Sequence, residues 1–335
     1  CGEDFPAKIM KTGKARLLST DQDLRAKYEG IDAVKYDVIL CPHCGYAALN
    51  RYFNSLNKVY IKLIKENISS KVQLHTYDDD IYSYEEAIER YKLCLANAVV
   101  KRAHASEKAY ICLKSGWLMR GYQEHLEESG DTDMARLREV KTMEETYLKN
   151  AYTGFTEALQ TEGFPMCGMD EITVEFLIAV LAARFQKYDV ASRMVATILT
   201  SPSANARTKD KARELKDQIL EELKKETRTI ILYEAPHRLV RTLEELKETL
   251  GNRRMTLCRE LTKRHETAFH TTIEELILYY QTEKPLGECV LVIEGRSRQE
   301  MEEEQKASWE KITIEEHMEI YENQGHSRKE AMKMV

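Results

Sequence analysis

The chain has 335 residues, 43% of them hydrophobic and 32% charged, with a formal net charge of −6. That apolar content supports real cores, and the length allows two or three domains. No apolar run approaches a membrane span and no signal peptide is visible, and the mild acidity argues against nucleic-acid binding through overall charge.

The first residues that carry chemistry are Cys41-Pro-His-Cys44-Gly45. Two thiolates two residues apart reach one tetrahedral ion, while the proline and glycine shape the turn around it. A full ribbon needs a second such pair, and Cys1-Gly2 has the form of the tail of one. Cys1, Cys41 and Cys44 are therefore the expected ligands of a zinc ion in a ribbon cut short at its start. Three other readings stay open: a reactive dithiol at Cys41 and Cys44, a lipid-anchored Cys1, or structural thiols. Cys94, Cys112, Cys167, Cys258 and Cys289 fall among apolar positions and read as buried free thiols. A knuckle together with unpaired cysteines indicates a reducing cytoplasm.

From Ala47 to about Lys225 the periodicity is helical. Tyr84, Ala87, Ile88, Tyr91 and Leu95 keep one face, and Leu181, Phe185, Tyr188, Ala191, Val195 and Leu199 keep another across a helical hairpin. The small and aromatic alternation of Ala183-Arg-Phe-Gln-Lys-Tyr-Asp-Val-Ala191 resembles tetratricopeptide units, so the region reads as an array of paired helices. Such arrays bind protein partners through a concave face; a plain helical bundle is the alternative. His75, Asp78, Asp79 and Asp80 read as a turn that caps the helix beginning near Tyr84.

The C-terminal third changes period. Ile230 to Tyr233 is a short apolar run that reads as a strand, and Pro236 opens a helix whose Leu239, Leu243, Leu246 and Leu250 share a face until Gly251-Asn252. Met255 to Cys258 gives a second strand. Thr271 and Thr272, each three residues before a glutamate, offer a capping box for a helix ending near Gln281, and Cys289 to Ile293 gives a third strand. Strand, helix, strand, helix, strand argues an α/β layer with neighbouring strands parallel. Ligands of open sheets bind at the carboxyl ends of the strands, where Glu234, His237, Arg238, Arg259, Glu260, Lys263, Glu266 and Glu294 are expected to converge. Ordinary solvated strand ends are the competing reading. Arg253, Arg254, Arg259, Lys263 and Arg264 form a local basic strip suited to a phosphate backbone, or a solvated turn.

Three blocks carry a family resemblance: Thr229-Ile-Ile-Leu-Tyr-Glu-Ala-Pro-His-Arg238, Cys258-Arg-Glu-Leu-Thr-Lys-Arg-His-Glu266 and Gly287-Glu-Cys-Val-Leu-Val-Ile-Glu-Gly295. They resemble the C-terminal half of the ribosomal RNA small subunit methyltransferase I family, tetrapyrrole-methylase-like enzymes that use S-adenosylmethionine to methylate the ribose 2′-OH of a 16S rRNA cytidine. The resemblance implies that Glu234, Pro236, His237, Arg238, Arg259, Glu260, Lys263 and Glu266 close the cofactor and RNA cleft from this lobe, with 16S rRNA of the small ribosomal subunit as partner. The family's glycine-rich N-terminal lobe has no counterpart before Thr229. The expectation is thus an S-adenosylmethionine half-site, catalytically incomplete alone, whose catalytic residues are not identifiable from this stretch. Tyr36-Asp-Val-Ile-Leu-Cys-Pro-His-Cys-Gly-Tyr-Ala-Ala48 carries a second resemblance, to an uncharacterised bacterial family, mostly from Firmicutes, that opens with two knuckles and continues into helices.

The two resemblances meet in Gln218 to Arg228, a lysine- and glutamate-rich helix without a proline or glycine spacer, which points to a degenerate or artefactual fusion. The expected fold class is multidomain, α plus α/β: a truncated zinc ribbon (1–46), an all-α tetratricopeptide-like array (47–225), the α/β C-terminal lobe of a tetrapyrrole-methylase-like fold (226–296), and a charged linker with short helices (297–335). In that tail, helices are expected from Thr313 to near Gly325 and again from Ser327, ending cut off at Val335. The alternatives are a non-catalytic zinc-ribbon and helical-repeat binding module, or a chimeric fragment.

Overall fold

The computed structural model describes residues 1–10, 15–75, 81–130, 133–297, 299, 318 and 328–334. It divides into two units, Cys1–Lys216 and Asp217–Val335.

The first unit is rich in helices. It opens with two small antiparallel hairpins, β1 (Leu17–Thr20) with β2 (Ala26–Tyr28), and β3 (Val38–Leu40) with β4 (Ala47–Leu49). Helical structure was expected from Ala47. Instead the Cys41–Gly45 turn reverses the chain, and Ala47–Leu49 completes a ladder with Val38–Leu40 before helices begin.

Seven helices follow: α1 (Lys58–Ile64), α2 (Tyr84–Val100), α3 (Ala105–Glu128), α4 (Met134–Thr161), α5 (Glu171–Arg184), α6 (Tyr188–Thr200) and α7 (Ala206–Lys224), within which the division into units falls. Ser83 caps α2 by accepting from the Glu86 amide at 3.1 Å. The Asp78, Asp79 and Asp80 turn expected there lies outside the described residues. The apolar face predicted for α2 is buried at Ala87, Ile88 and Tyr91. Helix α5 is buried on most of its surface, with Val174, Phe176, Leu177, Ile178, Ala179 and Leu181 at most 2% exposed, which suits a central helix. Helices α3 and α4 approach closely because Gly116 and Gly154 carry no side chain: a Cβ on Gly116 would stand 2.5 Å from Leu148, and one on Gly154 would stand 2.9 Å from the Ala109 Cβ.

An ionic network ties the first hairpin to these helices. Arg120 on α3 donates from Nη1 to Asp21 at 2.9 Å, from Nη2 to Asp23 at 2.7 Å and from Nε to Glu144 at 2.9 Å, and Glu144 also accepts from Arg184 at 3.0 Å. Beside it, buried Arg25 reaches Glu124 at 3.0 Å.

The second unit is built on a four-stranded sheet of β5 (Ile230–Glu234), β6 (Arg254–Arg259), β7 (Thr267–Thr272) and β8 (Cys289–Ile293), in the order β5-β8-β6-β7. Every neighbouring pair is antiparallel, against the parallel expectation. Strands β5 and β6 do run the same way, as the intervening helix demands, but β8 returns between them and separates them. Strand β7 was not expected; it folds back on β6 as a hairpin.

Helix α8 (Leu239–Leu250) buries all four predicted leucines, and Gly251 ends it with φ near +80°. Helix α9 (Ile273–Thr282) starts at the expected capping box, with Thr272 and Glu275 exchanging side-chain to backbone bonds. One side of the sheet, carrying Met255, Leu257, Leu291 and Ile293, is buried; on the other Ile231 is 55% and Tyr233 82% exposed. This is a two-layer unit. Helix α10 (Arg328–Met334) begins next to the expected Ser327; the helix expected from Thr313 lies outside the described residues, except for position 318.

Arg120→Ala leaves the carboxylates of Asp23 and Glu144, themselves nearly inaccessible, without their main counter-charge. The expected loss is about 3–5 kcal/mol of unfolding free energy, read by urea denaturation of the full chain followed through helical circular dichroism.

Candidate functional site

The sheet register brings most of the expected polar residues to one end. Glu234, Cys289, Arg259 and Thr267 stand in a single cross-strand row. Because β8 is antiparallel to β5 and β6, its beginning, not its end, lies there. Glu294 is thereby removed to the opposite end, where Ile293 pairs with Ile230 and Met255, and Glu288 takes its place.

Glu234 is saturated by its own turn. Its carboxylate accepts from the Ala235 amide at 2.7 Å, Arg238 Nε at 2.9 Å and the Thr242 hydroxyl at 2.7 Å. Pro236 opens the short 3-10 turn Pro236–Arg238 that enters α8, a position where its missing amide hydrogen costs nothing. His237 is exposed on that turn.

Arg259 donates from Nε to the Leu286 carbonyl at 2.9 Å. Glu260 and Glu288 clasp the two loops: the Glu260 amide donates to the Glu288 carbonyl at 3.0 Å, and the Glu288 amide donates to the Glu260 carboxylate at 2.8 Å. That amide holds the Glu260 pKa below the usual carboxylate value. Lys263 bridges Glu288 at 3.0 Å and Glu260 at 3.4 Å, and the Glu288 bond raises its pKa. Glu266 accepts from the Thr262 amide at 2.8 Å and closes the β6–β7 loop on itself.

Three of the four expected carboxylates thus brace loops; His237, Lys263, Arg264 and His265 are exposed, and so are Glu266 and Glu288. The chemistry available at this end is hydrogen-bond donation beside charges of both signs.

Sequence reasoning missed Leu286, Gly287 and Glu288 as members of the site. Gly287 was the available signal: its φ is near +77°, and a Cβ there would stand 2.6 Å from the Glu260 side chain.

The basic strip is divided. Arg253 donates to the carbonyls of Leu250, Glu294 and Lys224, while Arg254 starts β6 at the far end of the sheet from Arg259. The five residue steps from Arg254 to Arg259 put them about 17 Å apart. Arg254 instead lines an open groove of about 530 Å³ with Thr229, Thr256, His270 and Glu275 among its other walls.

The thiols of Cys1, Cys41 and Cys44 come together, all within 4.8 Å of one another, with Cys1 and Cys41 sulfurs 3.6 Å apart. Cys41 is buried, and burial pushes its thiol pKa up. Of the other cysteines, Cys94, Cys112, Cys167 and Cys289 are buried and free, while Cys258 is half-buried.

A family described as "Uncharacterized protein conserved in bacteria (DUF2225)" matches residues 1–219. The chain belongs to this family. The DUF2225 match ends inside α7, and a second family, "Tetrapyrrole (Corrin/Porphyrin) Methylases", matches residues 178–277, so this DUF2225 member also carries a tetrapyrrole methylase domain. Its C-terminal region is 43% identical over 129 residues to "Ribosomal RNA small subunit methyltransferase I" of Bacillus subtilis, covering 38% of this chain and 42% of that protein. Proteins of the same name from Halalkalibacterium halodurans and Synechocystis are 40% and 42% identical, covering 35% and 31% of this chain and 40% of each relative. The chain therefore spans about two fifths of the length of these curated relatives. Among the described residues no helix is long and apolar enough to cross a membrane.

Gly287→Ala forces a left-handed backbone on alanine and drives its methyl into Glu260. The change is expected to cost more than about 1 kcal/mol and to release the Glu260–Glu288 clasp, seen as faster amide exchange at Glu260 and Glu288 while the β5–β8 ladder stays protected.

Proposed function

We propose that the C-terminal lobe, 226–296, is a half-site for S-adenosylmethionine and 16S rRNA, of the lineage of ribosomal RNA small subunit methyltransferase I, and that it is catalytically incomplete by itself. The observation that carries this reading is the row Glu234–Cys289–Arg259–Thr267, which gathers at one sheet end the motifs in which the resemblance resides. In this reading Glu234, Glu260 and Glu266 hold the loops in shape. Pro236 sets the entry to α8, and His237, Arg238, Arg259 and Lys263 face the ligands.

S-adenosylmethionine, when bound, would supply an electrophilic methyl group for in-line attack by a ribose hydroxyl. The contribution of this lobe would be positioning, and a complementary lobe would have to supply the rest of the cleft. The whole chain would then work in the cytoplasm on the small ribosomal subunit.

A second reading is a non-catalytic module in which the helices of 47–225 bind a protein partner in the manner of tetratricopeptide arrays. The α5–α6 hairpin favours it, with helices of 14 and 13 residues joined by a short turn at Phe185 to Lys187.

Calorimetric titration of the full chain with S-adenosylmethionine tests the first reading. Saturable binding is expected, weakened at least about 10-fold, or roughly 1.4 kcal/mol, by His237→Ala with Lys263→Ala. These side chains leave the Glu234 turn and the Glu260–Glu288 backbone bonds intact. Absence of binding at millimolar cofactor removes the half-site and leaves the helical module as the surviving reading.

A further inference from the structure

We propose that Cys1, Cys41 and Cys44 bind one Zn²⁺ ion as three thiolates, and that this ion is the clasp holding the N-terminal segment on the β3–β4 hairpin. The inference is independent of cofactor and RNA, so its outcome and that of the methyltransferase reading are separable.

Geometry is the first support. Zinc–sulfur bonds of about 2.3 Å in a tetrahedron put ligand sulfurs about 3.8 Å apart. Cys1 and Cys41 sulfurs lie 3.6 Å apart and Cys44 falls within the same 4.8 Å triangle. A disulfide at about 2.05 Å is a different arrangement. Soft thiolates select zinc over magnesium or calcium, which want oxygen donors. Three thiolates leave the fourth tetrahedral position to a further donor.

The surroundings fix the turn that carries Cys41 and Cys44. The Cys41 amide donates to the Tyr46 carbonyl at 2.8 Å, and the Gly45 amide to the Cys41 carbonyl at 3.1 Å. Gly45 has φ near +70°, and a Cβ there would stand 2.6 Å from Val72, so only glycine fits the turn. Asn97 of α2 grips the Gly45 carbonyl at 3.0 Å and Ser69 grips that of Cys44 at 2.7 Å.

Cys41 belongs to a core with Tyr46, Ala48, Ile64 and Ile68, against which Phe5 of the N-terminal segment is partly buried, so the ion would join that segment to this core. Cys1 lies 40 residues from Cys41, so the ion would close a long loop at its N-terminal end.

The test is metal analysis of the full chain prepared with zinc, followed by replacement with Co²⁺. One zinc per chain is expected, and the cobalt form should show tetrahedral bands with thiolate charge transfer. Cys44→Ser should weaken binding by more than the roughly 10–100-fold lost when only a hydrogen-bond partner of a ligand is removed. Cys1→Ser, at an exposed position, should do the same with the helical signal unchanged, which separates ligand loss from misfolding. Cys258→Ser should retain the zinc. Chelation should speed amide exchange at residues 41–49 and leave strands β5 to β8 unaltered. Only trace zinc in the parent chain, undiminished zinc in the Cys1 and Cys44 variants, or cobalt spectra without thiolate bands would each overturn the proposal.

Discussion

Strand β8 must satisfy its backbone on both sides, and the second unit is arranged around that demand. Cys289, Val290, Leu291 and Ile293 are buried, so an unpaired amide or carbonyl along this strand would go without water. Pairing β8 with β5 on one side and β6 on the other meets the requirement and draws together strands that lie far apart in sequence. It also brings the start of β8 beside the ends of β5 and β6, which is why Glu288 rather than Glu294 meets Glu260. The shape of the candidate site is a consequence of this hydrogen-bond constraint.

The same economy appears in the loops. A glutamate at a strand end can serve a ligand or the backbone, and Glu234, Glu260 and Glu266 each accept from a nearby amide. A carboxylate so engaged stiffens the loop it closes, and the arginines, lysine and histidines beside it inherit a defined position. In the first unit buried charge is handled by a network: Arg120, Asp21, Asp23, Glu144 and Arg184 compensate one another across the hairpin and three helices. Breaking one member leaves the others charged in a place poor in water.

Local pattern made much of the architecture legible. The α8 leucines, the Thr272 capping box and Gly251 were readable because each depends on residues within one or two turns of one another. The turn at Cys41 to Gly45 was readable for the same reason. Strand β7 was not, since Thr267 to Thr272 lacks an apolar run and exists as a strand through its pairing with β6. The direction of neighbouring strands was misjudged because helical crossovers constrain β5 and β6 and say nothing about a later strand inserting between them. Arg253 looked like a phosphate ligand in the sequence, but its carbonyl partners come from α7, α8 and the end of β8.

Local sequence pattern was enough to place helices α2, α5, α6, α8 and α9 with their apolar faces, and to show which two families the halves resemble. Those properties follow from side-chain period and from residues adjacent along the chain. Tertiary structure decided the strand order, the end of the sheet to which each acidic residue is brought, and the division of the basic strip. Each depends on hydrogen-bond partners and close approaches between residues tens of positions apart, where no local periodicity records which of several possible pairings will bury the most surface and leave the fewest polar groups unpaired.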